Sequence, residues 1–365
     1  MKILEVISNL NPVGGGETFA VNFSRSINDI SELKVVILYK KHNQMFIDRL
    51  REKNIDFVFL SKKKHFDLKN AKQLREIILS FKPDYIHTEN NALIPTYLAL
   101  KKIKKKERPL VFHTMHLAPE DECSNKIVKY FYKRIFHKKN FVPVAITSSL
   151  AKDSQFFYKL KSVPYVENGV DLSKIQNPSL QLKKRKYDVA VIGRFTYQKN
   201  HEFLIDCFAE IKKNNPKFTA AFIGGGELFD QMKELAIQKG ADFIEFMGTM
   251  PNPSVVLANT KIIALGSRFE ANPLSLLEGM AAGCVVVSSN VGGVKNIIRK
   301  DNGFLFELND KKAFISIVEN IISNPETFEK MHENNIVYSK RFSMEECVRK
   351  YVSLFESFSK QQKHF

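Results

Sequence analysis

The chain has 365 residues, of which 44% are hydrophobic and 26% are charged, and its formal net charge at pH 7 is +17. This length exceeds the usual size of one hydrophobic core, so two domains of roughly 150 to 200 residues are expected. The composition is typical of a folded globular protein and excludes a disordered one. The sequence has no uninterrupted apolar run of about 18 residues, which excludes a membrane-spanning helix.

The cysteines and the first residues indicate the compartment. No two cysteines form a CxxC pair, which argues against a zinc site or a disulfide framework; they are Cys123, Cys207, Cys284 and Cys347. The first segment, MKILEVIS, has strand character at once and lacks the charged and long apolar regions of a signal peptide. We therefore expect a cytoplasmic protein.

The first half of the chain alternates between short apolar segments and segments of helical period. Helices are predicted after Gly16 and near residues 43–53. The predicted strands are KILEVIS, KVVILY, FVFL, PDYIHT (83–88), PLVFHT (109–114) and VPVAIT (142–147). This alternation predicts βαβ units on a parallel sheet, in a domain of residues 1–172.

A polar, lysine-rich segment at residues 173–186 is predicted to be an interdomain linker. A second α/β domain is predicted at residues 187–342, and a C-terminal helix at residues 343–365 that crosses back to the first domain. The predicted strands are DVAVIG (188–193), FTAAFIGGG (218–226), FIEFMG (243–248), KIIALG (261–266), CVVVSS (284–289) and GFLFEL (303–308). The predicted fold class is therefore α/β, with two Rossmann-like, doubly wound parallel-sheet domains facing a central cleft.

The segment SRFEANPLSLLEGMAAG (267–283) places Glu270 and Glu278 on either side of Pro273. Proline is favoured in the first turn of a helix, so a helix is predicted to begin there. The free amides of Leu274 and Ser275 and the helix dipole would then form a phosphate site. One carboxylate can accept hydrogen bonds from a sugar and the other from a ribose diol.

The segment VIGRFTYQKN (191–200) follows a buried strand and carries Arg194 and Lys199. Two fixed cations can stabilise a departing diphosphate without a metal ion. The segment NLNPVGGGETFAVNF (9–23) places Gly15 and Gly16 between the first strand and the first helix. Backbone without Cβ atoms can approach a phosphate or a sugar closely, although this turn has neither the Walker A nor the GxGxxG spacing.

A further strand ends in HTMH, which contains His113 and His116. His113 is predicted to be a packed strand residue. A metal site at these two histidines is not expected, because no nearby carboxylate or cysteine completes a ligand set.

Together these motifs resemble the retaining GT-B glycosyltransferases of family 4, also called glycosyl transferases group 1, over nearly the whole chain. The E-x7-E pattern implies that Glu270 lies near the donor sugar and that Glu278 binds the nucleotide ribose. The GR-x4-K pattern implies that Arg194 and Lys199 bind the donor phosphates. The Thr-x-His pattern assigns His116 to the active site.

The resemblance also implies that the first domain, residues 1–172, binds the acceptor and that the second, residues 187–342, binds the nucleotide-sugar donor. It further implies that the loop of Gly15 and Gly16 closes over the reaction centre. Two further segments fit the family, the NGVD turn at 168–171 and the GG turn at 292–293; each is also explained as a tight turn between elements. The sequence departs from the family pattern at three positions, where Ala271 replaces Gly, Gly279 replaces Ala and Asn296 replaces Glu.

The activity implied by the resemblance is metal-independent, retaining transfer of a hexose from a nucleotide diphosphate, with UDP favoured, to a glycan or lipid-linked saccharide. No cofactor is expected. Retention without an evident nucleophile favours front-face displacement, in which the departing diphosphate helps to deprotonate the acceptor. The implied context is synthesis of a bacterial surface polysaccharide.

The positive charge is concentrated in the first half, where residues 1–180 have a net charge of +13 and residues 181–365 one of +4. In the segment KIVKYFYKRIFHKK (126–139), Ile127, Phe131 and Ile135 share one helical face, and lysines occupy another. Two interpretations stay open. The segment is either a helix that lies on the anionic inner surface of the cell membrane, or a core helix whose lysines are solvated.

Two other functional classes deserve comparison. A nucleotide-sugar epimerase or a phosphorylase can have the same fold but explains the combined motifs less well. A nucleic-acid-binding protein would fit the sequence pI of 9.5, but the lysine runs are separate from any recognised nucleic-acid motif, so no nucleic-acid partner is expected.

Overall fold

The computed structural model describes residues 1–11, 14–39, 42–60, 67–123, 125–175 and 180–363. The chain divides into two compact units, of which the first comprises Met1–Gly169 with Met344–Phe365 and the second comprises Val170–Ser343. Each unit contains a six-stranded parallel sheet with flanking helices. The predicted fold class of two doubly wound α/β domains is therefore confirmed.

The sheet of the first unit has the strand order β3-β2-β1-β4-β5-β6. Its inner strands are almost completely buried, as expected for a parallel sheet with both faces covered. The strands are β1 (Lys2–Ile7), β2 (Glu32–Ile37), β3 (Asp56–Phe59), β4 (Tyr85–Glu89), β5 (Leu110–Met115) and β6 (Phe141–Ala145).

The helices of the first unit include the last helix of the chain. They are α1 (Gly15–Ile27), α2 (Gln44–Arg51), α3 (Leu68–Phe81), α4 (Leu93–Lys101), α5 (Pro119–Glu122), α6 (Lys126–Phe136), α7 (Ser148–Tyr158) and α14 (Met344–Lys363). The side chains of Tyr351 and Phe355 on α14 are fully buried in this unit. Tyr351 packs against Phe23 of α1, with ring centroids 5.0 Å apart.

The sheet of the second unit has the order β12-β11-β10-β7-β8-β9. The strands are β7 (Tyr187–Ile192), β8 (Ala220–Ile223), β9 (Glu245–Phe246), β10 (Thr260–Leu265), β11 (Val285–Ser289) and β12 (Gly303–Phe306). The helices are α8 (His201–Asn214), α9 (Phe229–Gln238), α10 (Ser254–Leu257), α11 (Leu274–Ala281), α12 (Lys311–Ser323) and α13 (Glu329–Ser339). Phenylalanines of β8, α8 and α12, among others, fill its core.

In both sheets, the order in which the chain adds strands reverses at one point. In the first unit the chain builds outward from β1 and then continues on the other side with β4, and in the second it does the same with β7 and β10. The loops that follow two such strands diverge to opposite faces and leave a crevice at their carboxyl ends, where α/β proteins usually bind ligands. These two edges are therefore the places at which to look for a site.

The segment predicted as a linker, residues 173–186, falls within the second unit. Residues 176–179 of the linker lie outside the described residues, whereas Arg185 is buried and donates hydrogen bonds to the carbonyls of Thr260 and Ala282 in the second unit. The end of the predicted linker is thus part of that unit's packing.

In α6 the buried face consists of Val128, Tyr132, Ile135 and Phe136, whereas Ile127 is 62% exposed. Ile127, Phe131 and Ile135 lie on one helix at the predicted i, i+4 and i+8 spacing, and of these three only Ile135 is buried. The four cysteines are free and buried. Among the described residues, no helix has both the length and the apolarity needed to cross a membrane.

Candidate active site

In the first unit, the predicted glycine loop and His116 lie together at the carboxyl edge between β1 and β4. The helix α1 follows β1, which ends at Ile7, and begins at Gly15, with Gly14 extended at its start and no side-chain cap. A Cβ atom on Gly16 would lie 3.1 Å from Oδ1 of Asn90 and 3.6 Å from Cδ2 of His116. This close approach explains a glycine at position 16, whereas a Cβ atom on Gly15 would meet open space.

His116 is held by a buried acid that the sequence analysis did not identify. Its Nε2 lies 2.5 Å from Oε2 of Glu89, the last residue of β4, and its ring packs edge-on against Phe19 of α1 at 5.3 Å. Glu89 is fully buried. Nδ1 of His116 makes no hydrogen bond with the described part of the chain, so it can bind a ligand.

Glu89 belongs to a polar network on one buried face of the sheet. Glu5 of β1 is in register with His87 of β4, and Glu89 is in register with Thr114 of β5. Nδ1 of His87 lies 2.7 Å from Glu5, and Nε2 lies 2.7 Å from Oγ1 of Thr114 and 3.4 Å from Oε1 of Glu89. The hydroxyl of Tyr351 lies 2.6 Å from that same Thr114 oxygen.

The burial of this network shifts its proton affinities. Burial raises the pKa of Glu89 well above its usual value, although the charge of His87 opposes the shift. Burial also lowers the pKa of His116, against the attraction of Glu122, Glu17 and other carboxylates. For His87, burial lowers the pKa, but attraction by Glu5 and its hydrogen bond outweigh burial and raise it. These directions favour a cationic His87, a protonated Glu89 and a neutral His116.

Glu5, His87 and Glu89 also present one potential metal-ligand atom each within 4.8 Å of one another. Both ring nitrogens of His87 already have direct partners at 2.7 Å, which is a hydrogen-bond distance. We therefore interpret this cluster as a hydrogen-bonded network. His113, predicted to be a packed residue, is fully buried and bonded to Thr88 and Glu122.

In the second unit, two of the predicted site residues, Lys199 and Glu270, meet at the carboxyl edge between β7 and β10. Nζ of Lys199 lies 2.5 Å from Oε1 of Glu270, and both side chains are largely buried. The Lys199 side chain passes over Gly193, where a Cβ atom would lie 3.2 Å from its Cδ. Arg194 is exposed and forms no ion pair with the described residues.

Glu270 is fixed by its own loop and by the glycine turn at 292–293. A Cβ atom on Gly292 would lie 2.1 Å from the carbonyl oxygen of Glu270, and one on Gly293 only 1.8 Å from that of Ala271. The amide of Gly293 donates to the carbonyl of Glu270 at 2.8 Å. This turn therefore supports the loop of Glu270 through backbone contact.

The helix α11 begins at Leu274, with Pro273 as its N-cap and no side-chain cap. Its first amides, including those of Leu274 and Ser275, are thus available to an anion. Glu278 lies in the second turn of this helix. The neighbouring Gly279 packs on β10, where a Cβ atom would lie 2.5 Å from Ile263, which explains the absence of a side chain at this position.

The sequence analysis also missed two residues that join these loops. Arg268 donates to the side chain of Asn200 at 2.7 Å and lies over the ring of Tyr197. Asn200 has a positive φ of 54° and donates to the carbonyl of Gly266 at 3.0 Å. An asparagine in a left-handed conformation at a strand-to-helix junction is a sequence signal only in retrospect.

Comparison with known proteins identifies the family. The family model described as Glycosyl transferases group 1 matches residues 173–338, and the one described as Glycosyltransferase Family 4 matches residues 13–174. The UDP-Gal:α-D-GlcNAc-diphosphoundecaprenol α-1,3-galactosyltransferase of Escherichia coli is 25% identical over 272 residues, which cover 68% of this chain and 69% of that protein.

Two further proteins resemble the chain over most of its length. The capsular polysaccharide biosynthesis glycosyltransferase CapH of Staphylococcus aureus is 26% identical over 88% of this chain and 91% of its own. The structure of HepE from Anabaena in complex with UDP and glucose has a TM-score of 0.80 at 18% identity, covering 98% of this chain and 100% of that one; at this identity the likeness shows the fold alone. The chain belongs to the GT-B glycosyltransferases of the group 1 and family 4 type.

Proposed function

We propose that this protein is a retaining, metal-independent glycosyltransferase that moves a hexose from a UDP-sugar to a lipid-linked saccharide in the synthesis of a bacterial surface polysaccharide. One observation carries the proposal. At the switch point of the second unit, Lys199, Glu270 and the uncapped start of α11 adjoin one another. This combination suits a sugar diphosphate, because it offers cations, amides and one carboxylate acceptor.

In the proposed reaction, Arg194, Lys199 and the amides of α11 bind the diphosphate, and Glu278 binds the ribose. The bond between the anomeric carbon and the diphosphate oxygen breaks, and the acceptor oxygen bonds to the same face of the sugar. The acceptor's proton moves to the departing diphosphate, whose charge the two cations stabilise. Glu270 does not act as a covalent nucleophile, since its carboxylate is paired with Lys199.

His116 would bind the donor sugar through Nδ1. A protonated Glu89 donates to Nε2, so the neutral imidazole carries its own proton on Nδ1 and presents it as a hydrogen-bond donor. A donor at this position suits a hydroxyl or ring oxygen of the sugar. Glu89 is then a positioning residue, which fixes both the orientation and the tautomer of His116.

Names of related proteins support the choice of substrates. The E. coli relative is named for UDP-galactose and a diphosphoundecaprenol-linked acceptor, and the S. aureus relative for capsular polysaccharide. HepE was crystallised with UDP and glucose. The E. coli name and the HepE complex both contain UDP and a hexose, and the E. coli name alone gives the lipid-linked acceptor.

The surface of α6 supports a membrane-bound acceptor. Ile127 and Tyr130 are 62% and 55% exposed, and Phe156 on the neighbouring α7 is 88% exposed. Exposed Lys126, Lys129 and Arg134 lie on the same helix as the first two. Apolar side chains among cations fit an anionic lipid surface, to which each cation contributes about 1 kcal/mol.

The first test is a thermal-shift panel of UDP, GDP, ADP and their sugar conjugates in the presence of EDTA. We expect UDP to raise the melting temperature of the wild type and to lose most of this effect with Glu278→Ala, while Glu234→Ala, at an exposed position of α9 outside the proposed contacts, retains it. Product analysis by NMR should then give an axial or equatorial anomeric bond that matches the donor. If oligonucleotides raised the melting temperature while none of the nucleotides did, the proposal would be overturned.

A further inference from the structure

The last helix of the chain places one hydroxyl group in the buried network that holds His116. Tyr351 of α14 is fully buried, and its hydroxyl oxygen lies 2.6 Å from Oγ1 of Thr114 on β5. Thr114 is also fully buried, and it is the threonine of the Thr-x-His pattern that ends with His116. Solvent does not reach these two oxygens, so groups of the protein must satisfy them. The proposed function gives neither residue a role.

Thr114 connects this tyrosine to His87. Its Oγ1 lies 2.7 Å from Nε2 of His87, so one oxygen has two partners at hydrogen-bond distance. A hydroxyl can take part in both bonds, because it donates one hydrogen bond and accepts two. A β-branched side chain has few favourable χ1 angles, and two bonds to its oxygen select one of them. Tyr351 therefore fixes the oxygen to which His87 bonds.

A second acceptor lies near the same nitrogen of His87. Oε1 of Glu89 is 3.4 Å from Nε2, which is longer than a good hydrogen bond, and it has no hydrogen-bond partner in the described part of the chain. The other ring nitrogen, Nδ1, already bonds to Glu5 at 2.7 Å. Thr114 and Glu89 thus compete for one N–H group, and in this structure Thr114 makes the shorter contact.

The outcome of this competition decides what Glu89 offers to His116. Oε2 of Glu89 lies 2.5 Å from Nε2 of His116. If the cationic His87 bonded directly to Glu89, its charge would favour the carboxylate over the carboxylic acid. A carboxylate only accepts hydrogen bonds, so Nε2 of His116 would then carry a proton, in the imidazolium or in the opposite neutral tautomer. The arrangement in which Nδ1 alone carries the proton would be lost.

We propose that Tyr351 is a positioning residue for His116. Its bond to Thr114 keeps the Nε2 proton of His87 on that oxygen and away from Glu89. Glu89 is thereby left as a hydrogen-bond donor, which directs the proton on Nδ1 of His116 toward the donor sugar. The proposal rests on the proposed function, in which His116 binds that sugar, and it makes the last helix part of the support of the active site.

The test removes one hydroxyl group at each of two places on the same helix. Tyr351→Phe keeps the ring, whose centroid lies 5.0 Å from that of Phe23. Tyr85→Phe is the matched control, because the hydroxyl of Tyr85 on β4 bonds to Ser359 of α14 at 2.8 Å and, within the described residues, to no member of the network. The first readout is the ¹⁵N chemical shift of Nε2 of His116 in the full-length, histidine-labelled protein, with the signal assigned by its loss in His116→Asn.

We expect Nε2 of His116 to lack a proton in the wild type and in Tyr85→Phe, and to carry one in much of the Tyr351→Phe protein. With a UDP-hexose donor, kcat of Tyr351→Phe should fall about tenfold or more. Its KM for the donor should stay within about twofold, because the diphosphate and ribose contacts are unchanged. Thr114→Val should reproduce both effects, since valine keeps the shape of the side chain without the oxygen, and Thr114→Ser should recover most of the lost kcat.

A protonated Nε2 in the wild type, an unchanged His116 signal in Tyr351→Phe, or equal changes in Tyr351→Phe and Tyr85→Phe would each overturn the proposal. The NMR signal does not depend on turnover, so it decides the proposal whether or not a given UDP-sugar is a substrate. A wild type that shows the expected His116 signal but no thermal shift with UDP would instead count against the proposed function.

Discussion

Replacement of Glu89 tests the proton arrangement around His116. Burial raises the pKa of Glu89 and lowers that of His116, and we predict from these directions that the acid is protonated and the imidazole neutral at neutral pH. Glu89→Gln keeps a donor toward Nε2 and changes no charge. We therefore expect its free energy of unfolding to stay within about 1.5 kcal/mol of the wild type, and its kcat to fall less than about tenfold.

Glu89→Leu has the opposite consequences, because leucine cannot donate to Nε2 of His116. The nitrogen loses its partner in a buried site, which costs about 1 to 3 kcal/mol. The ring is then no longer fixed against Phe19, and a misplacement of about 1 Å can reduce kcat on the order of 100-fold. The stability loss is measured by urea unfolding and the activity by UDP release.

The comparison of the two variants can refute the assignment. If Glu89 were an anion, Glu89→Gln would remove one partner of a buried charge pair and would cost about 3 to 5 kcal/mol. The Gln variant would then be as damaged as the Leu variant, and the assigned tautomer of His116 would be wrong. A pH profile of kcat adds a second readout. If residue 89 is uncharged in both proteins, the wild type and Glu89→Gln should show the same fall of kcat at acidic pH.

Three further predictions concern the loops and the network. Lys199→Met should weaken UDP binding at least tenfold and lower stability, because it leaves the buried carboxylate of Glu270 unpaired. Adding Glu270→Gln should restore stability in urea unfolding but not the affinity for UDP. Restored affinity would contradict the assignment of Lys199 to the donor phosphates. Gly293→Ala should lower both the melting temperature and kcat, because its Cβ atom would lie 1.8 Å from a carbonyl oxygen. The control Gly240→Ala, at a φ of 69° with no atom within 4 Å, should lose only about 1 to 2 kcal/mol of stability. Equal kcat values of these two variants would refute the role of the 292–293 turn. Because the pKa of His87 is raised in the folded protein, this residue stabilises the fold below its unfolded pKa near 6.5. That stabilisation, about 1.4 kcal/mol per unit of pKa shift, is lost as the pH rises through the folded pKa. Between pH 6 and 9, His87→Gln should therefore lose less unfolding free energy than the wild type, and an equal loss would contradict a cationic His87.

Much of the architecture could be predicted from the sequence because both sheets consist of buried parallel strands. Such strands are short, continuous apolar segments, and each predicted strand overlaps an observed one with ends shifted by a few residues. The two largest differences are FTAAFIGGG, predicted at 218–226, of which Ala220–Ile223 forms a strand, and FIEFMG, predicted at 243–248, of which only Glu245–Phe246 forms strand β9. This strand lies at the sheet edge, where pairing with a single neighbour sets its length.

The glycine turns and cations of the site were also visible in the sequence, but their partners were not. Lys199 and Glu270 are 71 positions apart, and their contact requires that β10 lies beside β7. Strands β7 and β10 are neighbours because the chain crosses over in the strand order. No local sequence pattern encodes this crossover. The role of the turn at 292–293 was missed for the same reason, since it is defined by the backbone of Glu270 and Ala271.

The buried network shows a different limit of local patterns. Glu5 and His87 occur inside apolar strands, where a polar residue at one position carries little information by itself. Their significance depends on register, because β1 and β4 align Glu5 with His87 and the next inward position adds Glu89. A sequence search for this feature would look for polar residues at alternate positions near the ends of two strands that flank a switch point. In this chain that rule selects Glu5, His87 and Glu89, and through Glu89 it leads to His116, which the family motif identifies independently.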